Sequence, residues 1–128
     1  MVFGYTILYV PDVVATLSFY EAAFGLKRRY LDEALDYGEL ETGATTLAFV
    51  SEGLRDANGV VARDNRPDAP AAGVEIALVT EDVRAAMARA IEAGAALTCP
   101  AVEKPWGQVV GYVRDLDGVL VELCTPMS

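Results

Sequence analysis

The chain has 128 residues, enough for one domain of ordinary size and too few for two independent hydrophobic cores. Hydrophobic residues make up 53 % and charged residues 23 %, with 11 Gly and 6 Pro dispersed along the chain, which excludes a disordered or collagen-like protein. Nineteen Asp and Glu against ten Lys and Arg leave a formal charge of −9, the opposite of a nucleic-acid or anionic-membrane footprint. Such a surface draws in cationic small molecules, or serves solubility alone.

Residues 2–10 are mostly apolar, aromatic and β-branched, and predict a strand of central rather than one-sided character. Asp12 then predicts a helix N-cap, Val13, Leu17, Phe19, Tyr20 and Phe24 recur at helical spacing as sheet-packing core, and Gly25 supplies the stop. Residues 26–31, 37–41 and 45–50 follow as short strands, separated by Asp32-Glu33-Ala34 and Thr42-Gly43. Residues 52–72 lack a hydrophobic period and contain Gly53, Asn58-Gly59, Pro67 and Pro70, so a long loop is expected there, either a tolerated connection or a lid or dimer contact.

The order then starts again. A strand at 74–79, a helix capped by Glu81 or Asp82 and ended by Gly94, and strands at 96–102, 108–113 and 119–124 repeat the first half. Tyr5 to Val10 matches Glu75 to Thr80 at an offset of 70, Asp12 matches Asp82 at the same offset, and Gly25 matches Gly94 one residue short of it. Four ordered features in register indicate two copies of one β-α-β-β-β unit, about residues 1–51 and 73–128, joined by 52–72 in a single domain.

His is absent, which removes Ser-His and Cys-His nucleophile pairs, histidine zinc sites and the commonest general base near neutral pH. Chemistry is left to carboxylates, tyrosines or a bound ligand. Cys99 and Cys124 form no CxxC pattern and have no basic neighbours in sequence, so inert, buried, reduced thiols are expected. The N-terminal stretch lacks a signal-like pattern and no apolar run reaches the ~18 residues of a membrane span, which points to a soluble, cytoplasmic protein.

YTILYVPDVVATLSFYEAAFGL, GVEIALVTEDVRAAMARAIEAGA and the closing VRDLDGVLVEL resemble the vicinal oxygen chelate superfamily, which includes glyoxalase I, extradiol dioxygenases, methylmalonyl-CoA epimerase, fosfomycin resistance enzymes and bleomycin-binding proteins. The resemblance covers nearly the whole chain. It implies an α+β fold of two βαβββ modules forming an open half-barrel around a concave site, commonly completed in a homodimer. It also implies metal-ligand positions near Tyr5, Ala48, Glu75 and Glu122. Only Glu75 and Glu122 are ordinary metal-binding carboxylates; Tyr5 would have to lose a phenol proton of pKa about 10, and Ala48 offers no donor. The expectation is no tightly held cofactor, with Mg²⁺ or Mn²⁺ as the alternative, because hard cations accept oxygen ligands. In character the chain is closest to the bleomycin-binding branch that lacks a metal.

Period-two alternation places Tyr5, Ile7 and Tyr9 on one strand face, with Thr46, Ala48 and Val50, Glu75, Ala77 and Val79, and Leu120, Glu122 and Cys124 on the matching faces of other strands. Glu75 and Glu122 each interrupt an apolar strand. An acid there is paired to a base such as Arg114, sits at an exposed edge, or works in cation recognition or proton transfer. Trp106, in a turn-rich stretch, is either a partly buried anchor or a stacking wall for a flat ligand, to which Tyr37 and Tyr112 would add, whereas Phe49 reads as core.

Two functions follow. The first is a binding protein that sequesters an aromatic or cationic natural product through Tyr5, Tyr9, Tyr37, Ala48, Glu75, Trp106, Tyr112 and Glu122. The second is a lyase, isomerase or dioxygenase of the same superfamily, in which Glu75 and Glu122 hold a divalent metal or move a proton.

Overall fold

In the computed structural model, which describes residues 1–127, the chain alternates strands and helices in two rounds. The first round is β1 (Tyr5–Val10), α1 (Val13–Phe24), β2 (Lys27–Leu31), β3 (Tyr37–Glu41) and β4 (Thr46–Ser51). After a short helix α2 (Glu52–Ala57), the second is β5 (Glu75–Val79), α3 (Val83–Glu92), β6 (Ala96–Glu103), β7 (Val109–Arg114) and β8 (Leu120–Cys124). The strands form two open four-stranded sheets of identical topology, β1-β4-β3-β2 and β5-β8-β7-β6. The outer pairs β1/β4 and β5/β8 are parallel and the others antiparallel. The chain separates into two compact units, one of Met1–Glu21 with Gly25–Asp64, the other of Ala22–Phe24 with the chain from Asn65 onward.

The repeat seen in the sequence is physical. Asp12 and Asp82 cap their helices alike, each Oδ1 accepting a backbone N–H three residues on, from Ala15 at 3.1 Å and from Ala85 at 3.0 Å. Each cap satisfies a donor that the first helical turn leaves orphaned. Replacing either Asp by Ala is expected to lower stability by about 1 kcal/mol. Urea unfolding of the two single variants would check this; a pair of unequal losses would mean that the caps are not equivalent.

Both helices pack on their sheets over a glycine. A Cβ on Gly38 of β3 would sit 2.6 Å from Leu17 Cδ1, and one on Gly111 of β7 would collide with Met87 Sδ. Tyr20 and Phe49 extend the first core with ring centroids 5.0 Å apart, beside buried Leu8, Val10, Leu17 and Leu40. Phe19 is buried with them and Phe24 half-buried, as their helical spacing predicts. Val83, Met87, Ala90, Val113, Val121 and Leu123 form the second core. Each large side chain buried in this way contributes roughly 1.5–3 kcal/mol.

Two expectations are corrected here. The first strand is not central: β1 begins at Tyr5, lies at the edge of its sheet, and buries Leu8 and Val10 while Tyr5 and Ile7 stay exposed. Its open face is apolar too, and that mimicked a strand covered on both sides. Residues 52–72 are not wholly loop, because Ser51 caps α2 by accepting the Leu54 N–H at 3.1 Å. What holds α2 is a buried arginine rather than an apolar stripe. Arg55 reaches Asp56 at 3.0 Å and Asp64 at 2.8 Å, with its guanidinium 5.7 Å from the Tyr9 ring centre. Among the described residues, no helix is long and apolar enough to cross a membrane.

Candidate functional site

The face of the second sheet turned away from α3 carries the acids. In β5/β8 register, Ala77 lies opposite Glu122 and Glu75 opposite Leu120, so the two glutamates are diagonal neighbours on adjacent strands. Their carboxyl groups are close enough to act on each other electrostatically. Partial burial pushes the Glu75 carboxyl above the ordinary carboxylate range, and the negative charge of Glu122 beside it adds to the effect.

On the other side, β7 places Tyr112 directly opposite Glu122, and its phenol donates to Glu122 Oε1 at 3.0 Å. Tyr112 is pushed up to about 12, first by that bond and then by burial. Burial, followed by a hydrogen bond to Glu122, also raises the Cys124 thiol. Glu122 is thus the hub of the cluster: the Tyr112 hydroxyl is bonded to it, and its charge acts on Glu75 and Cys124.

No lysine or arginine neutralises either glutamate among the described residues. Arg114, opposite Leu120 on the same face, is spent elsewhere: it donates to the carbonyls of Gly118 at 2.9 Å, Ala69 at 2.7 Å and Arg66 at 3.1 Å. The Arg114 salt bridge weighed from the sequence is therefore not formed. Cys124 is buried as expected, but Cys99 is exposed, because β6 is an edge strand with two register shifts and most of its residues open to solvent. Cys99 lies opposite Tyr112.

The open face of the first sheet holds a second polar group that the sequence did not disclose. Ala48, opposite Ile7 and Glu39, is fully buried. Glu39, only 9 % exposed, accepts from the Tyr37 hydroxyl at 2.5 Å and from Arg29 Nε at 3.1 Å. Burial, and then its bond to Glu39, hold the Tyr37 phenol well above its ordinary value. The Tyr30 ring is 6.2 Å from that of Tyr37, and exposed Tyr5 and half-buried Tyr9 complete an aromatic surface. The available signal was an acid inside the strand YGELE, the same signal that singled out Glu75 and Glu122.

Trp106 stands in the β6–β7 turn, its indole N–H donating to Gln108 Oε1 at 2.8 Å. It is 62 % exposed, which leaves most of the ring open to solvent. Of the four inferred metal positions, Glu75 and Glu122 are brought together in one unit, while Tyr5 and Ala48 belong to the other. Among the described residues, no three of His, Cys, Asp and Glu converge as a metal-ligand group. Glu75 and Glu122 supply two carboxylates, one fewer than the three protein ligands usual for a catalytic zinc.

The model of the family described as the Glyoxalase/Bleomycin resistance protein/Dioxygenase superfamily matches residues 2–123. A glyoxalase-related enzyme from Fulvimarina pelagi is similar in structure, with a TM-score of 0.81 at 25 % identity over 96 % of this chain and 86 % of that one. A glyoxalase/bleomycin resistance protein/dioxygenase family enzyme from Burkholderia phytofirmans PsJN shares the fold at 19 % identity and a TM-score of 0.75, over 98 % of both chains. TioX from Micromonospora sp. ML1 does so at 21 % identity and a TM-score of 0.72, again over 98 % of both. No protein of curated function matches the chain. With nearly its whole length matched by one family and its two sheets by that family's fold, the chain belongs to the Glyoxalase/Bleomycin resistance protein/Dioxygenase superfamily.

Proposed function

We propose that the protein binds and sequesters a small cationic molecule bearing an aromatic ring. The observation that carries this reading is the Glu75–Glu122 pair, two carboxylates on an apolar sheet face with no ion pair to a lysine or arginine among the described residues. In the free protein these like charges oppose each other, and a bound cation relieves that opposition. Ala77 and Val79, both exposed, with Leu120 give the apolar surround, and Tyr112 fixes the Glu122 carboxylate. Trp106, in the same unit as the pair, offers an exposed ring. The net charge of −9 steers a cation toward the molecule. We assign the protein as a homodimer, since β1 and β5 are unpaired sheet edges bearing exposed Tyr5, Ile7 and Val79.

The test is a calorimetric titration with a planar acridinium cation against a neutral planar acridone, at low and high salt. The cation is expected to bind more tightly, to weaken as salt rises, and to lose affinity in Glu122→Gln. Equal binding of the neutral compound, or an unaffected Glu122→Gln variant, would remove the basis of the proposal.

A second reading is favoured by one observation, the raised carboxyl of Glu75. A carboxylate made more basic in this way suits proton transfer beside a carbonyl, with Glu122 and Tyr112 stabilising the charge that remains. Carbonyl compounds incubated with the protein in D₂O would then take up deuterium at the adjacent carbon, and Glu75→Gln would stop the exchange.

A further inference from the structure

The two halves of the chain are copies of one unit, so a difference between them at equivalent positions is informative. In the first unit, the seam between helix and outer strand is closed by a polar lattice. Arg28 of β2 donates through Nη2 to Glu21 at 2.9 Å and to Ser18 at 3.3 Å, both on α1. The matching positions of the second unit follow from register. Ser18 and Glu21 correspond to Ala88 and Ile91 at the offset that aligns the two Asp caps. Arg28, paired with Leu40, corresponds to Leu97, paired with Val113. All three lattice residues have thus become apolar.

The seam left behind is a groove of about 340 Å³ lined by Arg84, Met87, Ala88, Ile91, Leu97, Pro100 and Ala101. That volume is at the lower end of the ~300–1,000 Å³ range of small-molecule sites. Ile91 is 42 % and Leu97 55 % exposed, so these two walls are accessible, above a buried Met87. The groove lies on the α3 side of the second sheet, opposite to the Glu75–Glu122 face: Leu97 pairs with Val113 of the buried core, and Met87 covers Gly111. Arg84, at the start of α3, stands where the first unit has Val14. It is exposed and makes no ion pair among the described residues. An apolar trough with one unpaired cation at its end is complementary to a molecule with an apolar chain and one negative head.

We propose that the groove between α3 and β6 binds an anionic amphiphile, a monocarboxylate with an aliphatic chain, with its head on Arg84 and its chain along Met87, Ala88, Ile91 and Leu97. The site is separate from the carboxylate pair and takes ligands of opposite charge.

Methyl NMR of the full chain, titrated with dodecanoate below its micelle concentration, tests the assignment. The Met87, Ile91 and Leu97 methyl signals are expected to shift and saturate. Arg84→Gln is expected to weaken binding about tenfold, the value of one charge-assisted hydrogen bond. Dodecanol should bind no better to the native chain than dodecanoate binds to Arg84→Gln. Rebuilding the lattice of the first unit, with Ala88→Ser, Ile91→Glu and Leu97→Arg together, should abolish binding. Circular dichroism would confirm that this variant is folded; if it is not, Arg84→Gln and the dodecanol comparison decide alone. Equal affinity for dodecanol and dodecanoate, shifts confined to the Ala77 and Val79 face, or self-association that covers the groove without dodecanoate binding would each overturn the proposal.

Discussion

Gly118→Ala is expected to lower the stability of the protein by about 3 kcal/mol, combining ~1–2 kcal/mol of left-handed backbone strain with ~1–3 kcal/mol of overpacking. Gly118 has φ +93°, and a Cβ there would stand 2.4 Å from the Arg66 carbonyl oxygen and 2.7 Å from Arg114 Nη2. The carbonyl is backbone and cannot swing aside as a flexible side chain would. It is also one of the acceptors that tie Arg114 to the segment 66–69. Gly107→Ala is the control, because its φ is +101° but nothing lies within 4 Å of the new methyl. It should cost only the strain, about 1–2 kcal/mol. Urea midpoints of the two variants separate the terms, and hydrogen exchange should show segment 66–69 loosened in Gly118→Ala alone. Equal losses would mean that the close approach to Arg66 is unimportant.

The same turn shows why a motif can identify a family and say little about chemistry. In Asp115-Leu116-Asp117-Gly118, the buried Asp115 accepts the N–H groups of Asp117 and Val119 at 2.9 Å each through Oδ1. Those residues build the entry to β8. That strand in turn carries Glu122. Elements were legible from the sequence where a local device marks them, as with the Asp12 and Asp82 caps and the Gly25 stop. They were illegible where tertiary context decides. Strand β1 was misplaced because its open face is as apolar as its packed one, and α2 was missed because a buried arginine holds it. Glu75 and Glu122 stood out singly as acids in apolar strands. Their meeting depends on the β5/β8 register, to which no local pattern points. Glu39 and Arg29 were overlooked for the same reason, since β2 is highly charged throughout and its irregular pairing with β3 hides which residues share a face.

Glu75→Gln should separate stability from function in opposite directions. The carboxyl of Glu75 titrates above the ordinary glutamate value of about 4.3 in the folded chain, through burial and the neighbouring Glu122 charge. Between those two values the folded state holds more protons than the unfolded one. Stability from this group is therefore fully present below the unfolded value and is lost as pH rises through the folded one. Glutamine stays neutral at every pH. The variant is thus expected to melt at the native temperature near pH 4 and above it near pH 7.5. At the higher pH its affinity for a bound cation should fall about tenfold, the loss of one close charge partner at ~1.4 kcal/mol. A group that is unfavourable in the empty protein and needed for binding is what a cation site requires, because the ligand supplies the charge that the fold omits. If Glu75→Gln instead melted below the native chain at pH 7.5, Glu75 would be stabilised by a positive group in the free protein, and the cation site would have no vacancy to fill.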